Sequence, residues 1–222
     1  MERKIITTSD GSTTIQIVEW NEQYHSIHGA IQEAYHVFIK NGLSLFENQE
    51  VNILEIGFGT GLNAIITVIE SQKTQLKVNY FGVEAFPVKK EEIVQLNYME
   101  QLKSLDFKDK FLKMHSSSWE QETEISDNFK LTKLQKDFQE IDHTDFFDII
   151  YFDAFSARVQ PELWTESIFL IMFNALKNNG VLVTYCAKGS VRRAMQAVGF
   201  LVERLPGPPG KREMLRATKK IL

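Results

Sequence analysis

The sequence predicts an α/β fold built on a mostly parallel sheet with helices on both faces. Strand-like and helix-like patterns alternate along the chain, as parallel strands joined by helical crossovers require. One apolar run, residues 51–56, leads straight into a glycine-rich turn and a helix-like segment. Near the carboxyl end, residues 200–205 and 214–218 have patterns that predict a terminal antiparallel hairpin.

Length and composition predict a single domain spanning residues 1–222. No apolar stretch approaches the roughly 20 residues of a membrane span. The polar start, residues 1–4, lacks the apolar core of a signal peptide, so we expect a cytoplasmic protein. The one cysteine, Cys186, lies in an apolar run and is expected in the core, which supports neither a disulfide nor a thiolate zinc site.

The glycine-rich turn predicts a cofactor site. Gly57, Gly59 and Gly61 allow the backbone to turn sharply and to lie close against a bound molecule. The helix that follows would present free N–H groups to an anionic part of that molecule. The spacing G-x-G-x-G, with Glu55 two positions earlier, favours S-adenosylmethionine over a dinucleotide.

A second strand pattern, residues 78–84, ends in a carboxylate at the distance such a fold requires. Glu84 comes 27 positions after Gly57, where a doubly wound sheet places the acid that accepts the ribose hydroxyls. The alternative is that Glu84 only caps the next helix. Its pairing with the glycine turn favours the ribose role.

The middle of the chain is predicted less sharply. We expect a helix over 89–105, a third strand over 111–114, and then Ser117, Ser118 and Trp119 at the edge of the adenine or in an ordinary loop. Residues 120–143 are interpreted as an insertion in which 129–134 form a small added hairpin.

The next strand pattern, residues 147–152, delivers Asp153 and Phe155 to the carboxyl edge of the sheet, facing the cofactor. Pro161 is expected to open an amphipathic helix that a left-handed cap at 178–180 closes. A strand to Cys186 and a helix starting near Ser190 follow.

Charge is distributed unevenly. The whole chain carries a net charge of −4, yet residues 188–222 contain nine basic and two acidic residues, a balance of +7. This basic tail indicates a local polyanion site. The alternative is a solvated face neutralised by nearby acids.

Several motifs that occur together in order resemble those of one family: Phe152-Asp153-Ala154-Phe155, Trp164, Arg192-Arg193, Gly199-Phe200 and Lys211-Arg212-Glu213-Met214. The chain is similar to the tRNA 5-aminomethyl-2-thiouridine methyltransferases, which comprise the methyltransferase domain of MnmC and its stand-alone MnmD-like relatives. The stretch 24–29 with Glu33 and residues 36–38 resembles that family's N-terminal segment, and 57–63 resembles its cofactor loop.

The resemblance implies a Rossmann-like class I S-adenosylmethionine-dependent methyltransferase fold with a seven-stranded sheet. It implies methyl transfer to the amine of 5-aminomethyl-2-thiouridine in the tRNA anticodon loop, and residues 1–48 as the segment through which the substrate enters. The flavin domain of the bifunctional members is not expected in this chain. The implied cofactor residues are Glu55, Gly57, Phe58, Gly59, Gly61, Asn63, Glu84, Ser117, Ser118, Trp119 and Asp153.

The resemblance also implies roles at the substrate side. Asp153 would accept an amine N–H and orient the lone pair, with Phe155 as a stacking surface, although the two prolines of the related Asp/Asn-Pro-Pro-aromatic motif are absent. The alternative is an Asp that caps the next loop. The implied substrate and tRNA residues are Tyr24, Ser26, Glu33, His36, Arg192, Arg193, Lys211 and Arg212. No metal is expected, because the histidines and acids near Tyr24 form no complete ligand pattern.

Two other functions remain open from the sequence. A spermidine-synthase-like aminopropyltransferase shares the fold, the glycine turn and both carboxylates, but it gives no reason for a basic tail. A non-catalytic RNA-binding module on the same fold would have no need for Glu84 and Asp153 beside an intact cofactor turn.

Overall fold

The computed structural model describes residues 2–221, and within them eleven strands form two sheets. The strands are β1 (Arg3–Thr7), β2 (Thr13–Ile17), β3 (Glu22–Gln23), β4 (Glu50–Ile56), β5 (Lys77–Val83), β6 (Glu122–Ser126), β7 (Phe129–Leu134), β8 (Phe147–Phe152), β9 (Leu176–Thr184), β10 (Leu201–Pro206) and β11 (Glu213–Thr218). The first three strands form a small antiparallel sheet of their own.

Helices lie between the strands, and several are short. They are α1 (Ala30–Ala34), which continues as a π-helical turn (Tyr35–Lys40), α2 (Leu62–Thr74), α3 (Lys90–Ile93), α4 (Tyr98–Gln101), α5 (Lys108–Ser116), α6 (Glu166–Ala175) and α7 (Gly189–Ala197). Short 3₁₀ turns occupy Leu43–Leu45, Leu105–Phe107, Phe138–Glu140 and Pro161–Trp164. Between residues 2 and 221, no helix combines the length and the apolarity needed to span a bilayer.

The large sheet has the order β10-β11-β9-β8-β4-β5-β7-β6 and is mostly parallel, as predicted. Strands β7, β5, β4, β8 and β9 run parallel, and the predicted terminal hairpin β10–β11 joins antiparallel to β9. Because β4 is flanked by β5 on one side and β8 on the other, the chain reverses its winding direction there. Ligands of such sheets bind beyond the carboxyl ends of the strands at this point.

Two apolar layers hold the helices against the sheet. Ile53 of β4 faces α2, whereas its neighbour Leu54 faces α6 and α7. Both residues are completely buried, because a central parallel strand is covered on both faces. The buried apolar residues of β4 therefore anchor the strand between two layers, and its carboxyl end leads into the glycine turn.

The structure corrects the middle of the chain. The large sheet has eight strands rather than seven, and residues 129–134 are the strand β7, paired in parallel with β5 from Val78–Phe129 to Val83–Leu134. The interpretation of this segment as an added hairpin is therefore wrong. Phe111 and Met114 belong to α5 instead of a strand, because their three-residue spacing puts both on the buried face of a helix. The helix expected over 89–105 is broken into α3 and α4.

The helix expected after Pro161 also differs in its ends. Pro161 begins a 3₁₀ turn, α6 starts only at Glu166, and it ends at Ala175 rather than at 178–180. Asn179 has the expected positive φ of 67°, but it lies inside β9, where the pairing with β8 is irregular. The helix near Ser190 and the burial of Cys186 are confirmed.

Candidate active site

A cavity lies at the carboxyl ends of the central strands, under the small N-terminal sheet. Its walls include Tyr24, the turn after β4, Glu84 after β5, and Asp153 with Phe155 after β8. The fold thus brings together residues that are more than a hundred positions apart in the sequence.

The glycine turn forms one wall because it has no room for side chains. Gly57 has φ of 87°, and a Cβ atom there would come within 2.8 Å of the Asp153 carbonyl oxygen. A Cβ on Gly59 would lie 3.0 Å from the Tyr24 ring. The backbone of this turn is therefore exposed to the cavity, and α2 begins directly after Gly61. Phe58 packs away from the cavity against His115.

Glu84 links the glycine turn to the loop after β5. One carboxylate oxygen accepts the N–H of Gly59 at 3.0 Å, and the other accepts the N–H of Phe86 at 2.9 Å. Burial raises the pKa of Glu84, and these backbone hydrogen bonds partly offset that rise. The carboxylate is fixed in place at the cavity wall, with lone pairs left on each oxygen for a ligand.

Asn63 joins two carboxylates at the base of the site. Its side-chain amide donates to Glu55 Oε1 at 2.9 Å and to Asp153 Oδ2 at 2.8 Å. Glu55 is only 1% exposed, and burial raises its pKa well above the usual range. Glu55 is therefore linked to Asp153 through Asn63, and it is not among the residues that line the cavity.

Asp153 lies at the floor of the cavity in a loop that is held from three sides. Its N–H donates to the Ile56 carbonyl, Tyr185 Oη donates to the Ala154 carbonyl, and Trp164 Nε1 donates to the Phe155 carbonyl. Burial, with a smaller contribution from the Glu33 carboxylate, raises the pKa of Asp153 to about 7. The side chain can therefore accept or release a proton near neutral pH.

Three aromatic rings form the outer part of the cavity. The Phe155 ring meets Tyr24 at 4.9 Å and Trp20 at 5.6 Å between centroids, both edge to face. Arg3 lies over Tyr24 and donates to the Phe86 carbonyl. Trp20 and Arg3 were not predicted, since nothing in the sequence shows that the small N-terminal sheet covers this edge.

The corrected strand β7 brings in two further residues that the sequence analysis missed. Asp137 and Phe138 follow this strand and line the cavity together with Ala85 and Phe86. Ser117, Ser118 and Trp119, which were predicted here, do not line it. Ser117 bonds to the Met114 carbonyl, and Trp119 packs against Lys133 in a neighbouring cavity on the far side of Glu84.

Some of the predicted substrate residues lie at or near the cavity, and others lie away from it. Tyr24 lines the cavity, and Glu33 lies buried near Asp153. Ser26 accepts only a local hydrogen bond from His28, and His36 bonds to the Pro206 carbonyl away from the cavity. Within residues 2–221, no group of three His, Cys, Asp or Glu side chains is arranged to hold a metal.

Much of the positive charge of the basic tail is neutralised by ion pairs. Four of its nine basic residues pair with acids: Arg204 with Glu213, Arg216 with Glu203, Lys219 with Asp145, and Lys211 with Glu33. Lys211 thus points inward, in contrast to the prediction that it contacts a tRNA backbone. Arg193 and Arg212 are exposed and Arg192 is partly so, and these three make no ion pair within residues 2–221.

The sequence matches known proteins over most of its length. A family model described as S-adenosyl-L-methionine-dependent methyltransferase matches residues 100–220. The tRNA 5-methylaminomethyl-2-thiouridine biosynthesis bifunctional protein MnmC of Actinobacillus pleuropneumoniae serotype 5b (strain L20) is 28% identical over 228 residues, covering 90% of this chain and 33% of that protein. The protein of the same name from Leptospira interrogans is 28% identical, covering 89% of this chain and 32% of that protein. The chain spans about a third of the length of these relatives.

Solved structures agree with the fold. The crystal structure of MNMC2 from Aquifex aeolicus matches 100% of this chain and 71% of that chain, with a TM-score of 0.79 and 25% identity. Spermidine synthase from Thermotoga maritima matches 99% of this chain and 69% of that chain, with a TM-score of 0.58 and 16% identity. At that identity, the second likeness shows the fold alone.

Proposed function

Because the chain belongs to the S-adenosyl-L-methionine-dependent methyltransferase family that its residues 100–220 match, we propose that it methylates the amine of 5-aminomethyl-2-thiouridine at the tRNA wobble position. The prediction of S-adenosylmethionine as cofactor is confirmed by this family membership. The observation that best supports an amine as the methyl acceptor is the position of Asp153. This carboxylate has a pKa of about 7 and lines the same cavity as the glycine turn and an aromatic cluster.

The residues present fit the cofactor. Glu84 offers free lone pairs for the ribose hydroxyls, and the bare backbone of Gly57 and Gly59 leaves space beside it. We assign Asp137 and Phe138 to the adenine in place of Ser117, Ser118 and Trp119. When bound, S-adenosylmethionine supplies a sulfonium-activated methyl group, which a neutral amine accepts as the carbon–sulfur bond breaks.

The chain's own residues would prepare the amine. Phe155, with Tyr24 and Trp20 around it, provides an aromatic surface for the base. Asp153 accepts an N–H of the amine and so directs the lone pair, and it can take the proton that the nitrogen loses after methylation. Orientation of this kind can contribute up to about 7–11 kcal/mol in well-aligned systems.

The tRNA would dock through the unpaired arginines. Arg192 and Arg193 on α7 and Arg212 in the turn after β10 are available for phosphates. The relatives called MnmC are named for the biosynthesis of tRNA 5-methylaminomethyl-2-thiouridine. Their name supports a substrate in the anticodon loop and a cytoplasmic site of action for this chain. Bases in such loops are already accessible, so that little energy is needed to extrude one.

The test is methyl transfer to defined substrates. Purified protein is incubated with radiolabelled S-adenosylmethionine and tRNA that carries 5-aminomethyl-2-thiouridine, and digested nucleosides are separated. We expect label in 5-methylaminomethyl-2-thiouridine, none with tRNA lacking the aminomethyl group, and a strongly reduced rate of labelling with Asp153→Asn. A parallel reaction with decarboxylated S-adenosylmethionine and putrescine tests the aminopropyltransferase alternative. Spermidine formation without tRNA methylation would overturn the proposal.

A further inference from the structure

An ion pair lies close enough to Asp153 to act on it electrostatically, although neither partner is among the residues that line the cavity. Lys211 reaches in from the turn between β10 and β11, and its ammonium pairs with Glu33 of α1. Glu33 is 6% exposed. The ammonium also lies 3.9 Å from the centre of the Tyr185 ring, which fixes its position by a cation–π contact. Tyr185 in turn donates to the carbonyl of Ala154, the residue after Asp153.

Both charges of the pair act on Asp153. The Glu33 carboxylate raises the pKa of Asp153, and the Lys211 ammonium lowers it. The titratable groups near Lys211 come from four segments of the chain: His25, Glu33, Asp153, and the neighbouring pair Tyr185 and Cys186. Burial holds the pKa of His25 at about 4 and raises the pKa values of Tyr185 and Cys186, so these three are neutral at pH 7.

We propose that Lys211, oriented by Glu33 and Tyr185, is a positioning residue that keeps both the acceptor amine and Asp153 unprotonated during methyl transfer. A like charge near an amine disfavours its ammonium form, and an opposite charge near a carboxyl favours the carboxylate. Both effects favour methyl transfer, because the attacking nitrogen needs a free lone pair and its N–H needs an unprotonated carboxylate as acceptor. This inference rests on the proposed function for the identity of the amine.

Lys219, a buried lysine directly after the same hairpin, shows what a purely structural ion pair looks like in this protein. Lys219 is 3% exposed and pairs with Asp145 at 2.7 Å. Asp145 precedes β8, whereas Asp153 follows it, so the Lys219 pair lies at the opposite edge of the sheet from the cavity. Lys219→Met is therefore the matched control for the loss of a buried ammonium.

The experiment measures the pH dependence of single-turnover methyl transfer with saturating cofactor and aminomethyl tRNA. A neighbouring charge shifts a pKa by roughly one unit or more. For Lys211→Met we expect the rising limb of the profile to move about one pH unit towards alkaline values, with the rate recovering at high pH. Glu33→Gln should move the limb the other way, and Lys211→Arg and Lys219→Met should leave it in place.

A direct titration separates this inference from the proposed function. Carbon NMR of the labelled Asp153 carboxyl group, without cofactor or tRNA, should show its pKa raised by Lys211→Met and lowered by Glu33→Gln. If the wild type transfers no methyl group to tRNA, the function is wrong and the titration still tests the pair. If both variants leave the Asp153 pKa unchanged or move it in the same direction, the Lys211 inference is overturned. A Lys211→Arg profile equal to that of Lys211→Met would overturn it as well.

Discussion

Glu84 and Asp153 occupy equivalent places in the sheet and yet are held in opposite ways. Each follows a parallel strand next to β4, and each lines the same cavity. Both oxygens of Glu84 accept backbone N–H groups, which fixes the carboxylate to two loops. Asp153 instead accepts one hydrogen bond from the Asn63 side chain and lies near the Glu33 and Lys211 charges.

The difference separates binding from chemistry. Backbone donors hold Glu84 in one position and stabilise its charge, which suits a carboxylate that receives ribose hydroxyls. A carboxylate with one side-chain partner and a pKa of about 7 retains an oxygen for a substrate N–H and can exchange a proton at neutral pH. We therefore expect changes at Asp153 to affect the rate and changes at Glu84 to affect cofactor affinity.

The largest expected effect is on turnover. Asp153→Asn keeps the size of the side chain but removes the charge that favours a correctly presented amine, so kcat should fall by roughly 10²–10⁴. Single-turnover rates at saturating tRNA and cofactor measure this, with cofactor affinity by calorimetry as the control. A kcat near that of the wild type would end the distinction between the two carboxylates.

Glu84→Ala should act on binding. Loss of charge-assisted hydrogen bonds to ribose costs roughly 1.5–3 kcal/mol each, so the Kd for S-adenosylmethionine should rise by at least about tenfold. Glu84→Gln keeps one acceptor for the loop N–H groups and serves as the check that the glycine turn is intact. Unchanged affinity in both variants would remove Glu84 from the cofactor site.

The ionised carboxylate of Asp153 should also lower the free energy of unfolding of the wild type at neutral pH. Its folded pKa of about 7 lies above the unfolded value of 3.8, so the wild type loses stability as pH rises through this interval. Since the side chain is only partly buried, we expect Asp153→Asn to gain about 1–2 kcal/mol over the wild type at pH 8. Thermal melts at pH 4, 6 and 8 measure the gap. A stability difference that does not widen between pH 4 and pH 8 contradicts the raised pKa of Asp153.

Asp137→Ala tests the adenine assignment and should have a smaller effect. One lost hydrogen bond to a partly solvated ring contributes about 1 kcal/mol, so the Kd for the cofactor should rise about fivefold. Trp119→Ala is the comparison, because Trp119 lies outside the cavity. If Trp119→Ala weakens cofactor binding more than Asp137→Ala does, the adenine lies near Ser117, Ser118 and Trp119 and not near Asp137.

The smallest effect for each residue is expected at the tRNA surface. Replacing Arg192, Arg193 and Arg212 by Ala should raise the KM for tRNA and reduce its salt slope by about 0.7 per single-strand phosphate contact and about 0.9 per duplex contact. Cofactor affinity should not change. The matched control is Arg216→Ala, since Arg216 is already paired with Glu203. A wild-type KM that does not depend on salt would mean that this surface is merely solvated.

Local patterns in the sequence determined the parts of the site that depend on one strand and the turn after it. The glycine turn after β4, Glu84 after β5 and Asp153 after β8 could be predicted because each follows a short, mostly apolar run whose length and flanking residues favour a buried strand. The hairpin β10–β11 was equally clear from alternation. In these segments, periodicity and turn chemistry lead to the same structure.

The pairing of the segment 129–134 depended on tertiary structure, because its local sequence pattern fits more than one arrangement. The segment 129–134 begins with alternating apolar and polar residues: Phe129 and Leu131 pack in the core, Lys130 is exposed, and Lys133 is buried as well. This pattern suits an isolated hairpin as well as a sheet strand, and only pairing with β5 makes it β7 and places Asp137 and Phe138 in the cavity.

The charge of the tail was also decided by tertiary contacts. Sequence counts treat Lys211 and Arg193 alike, yet one is directed inward by a buried carboxylate 178 residues away and the other remains exposed. An ion pair between distant residues forms only when packing brings them within reach, and its energy depends on the burial that the fold creates. The sequence therefore determined which charges the chain has, and the fold determined which of them are paired near Asp153 and which remain exposed at the surface.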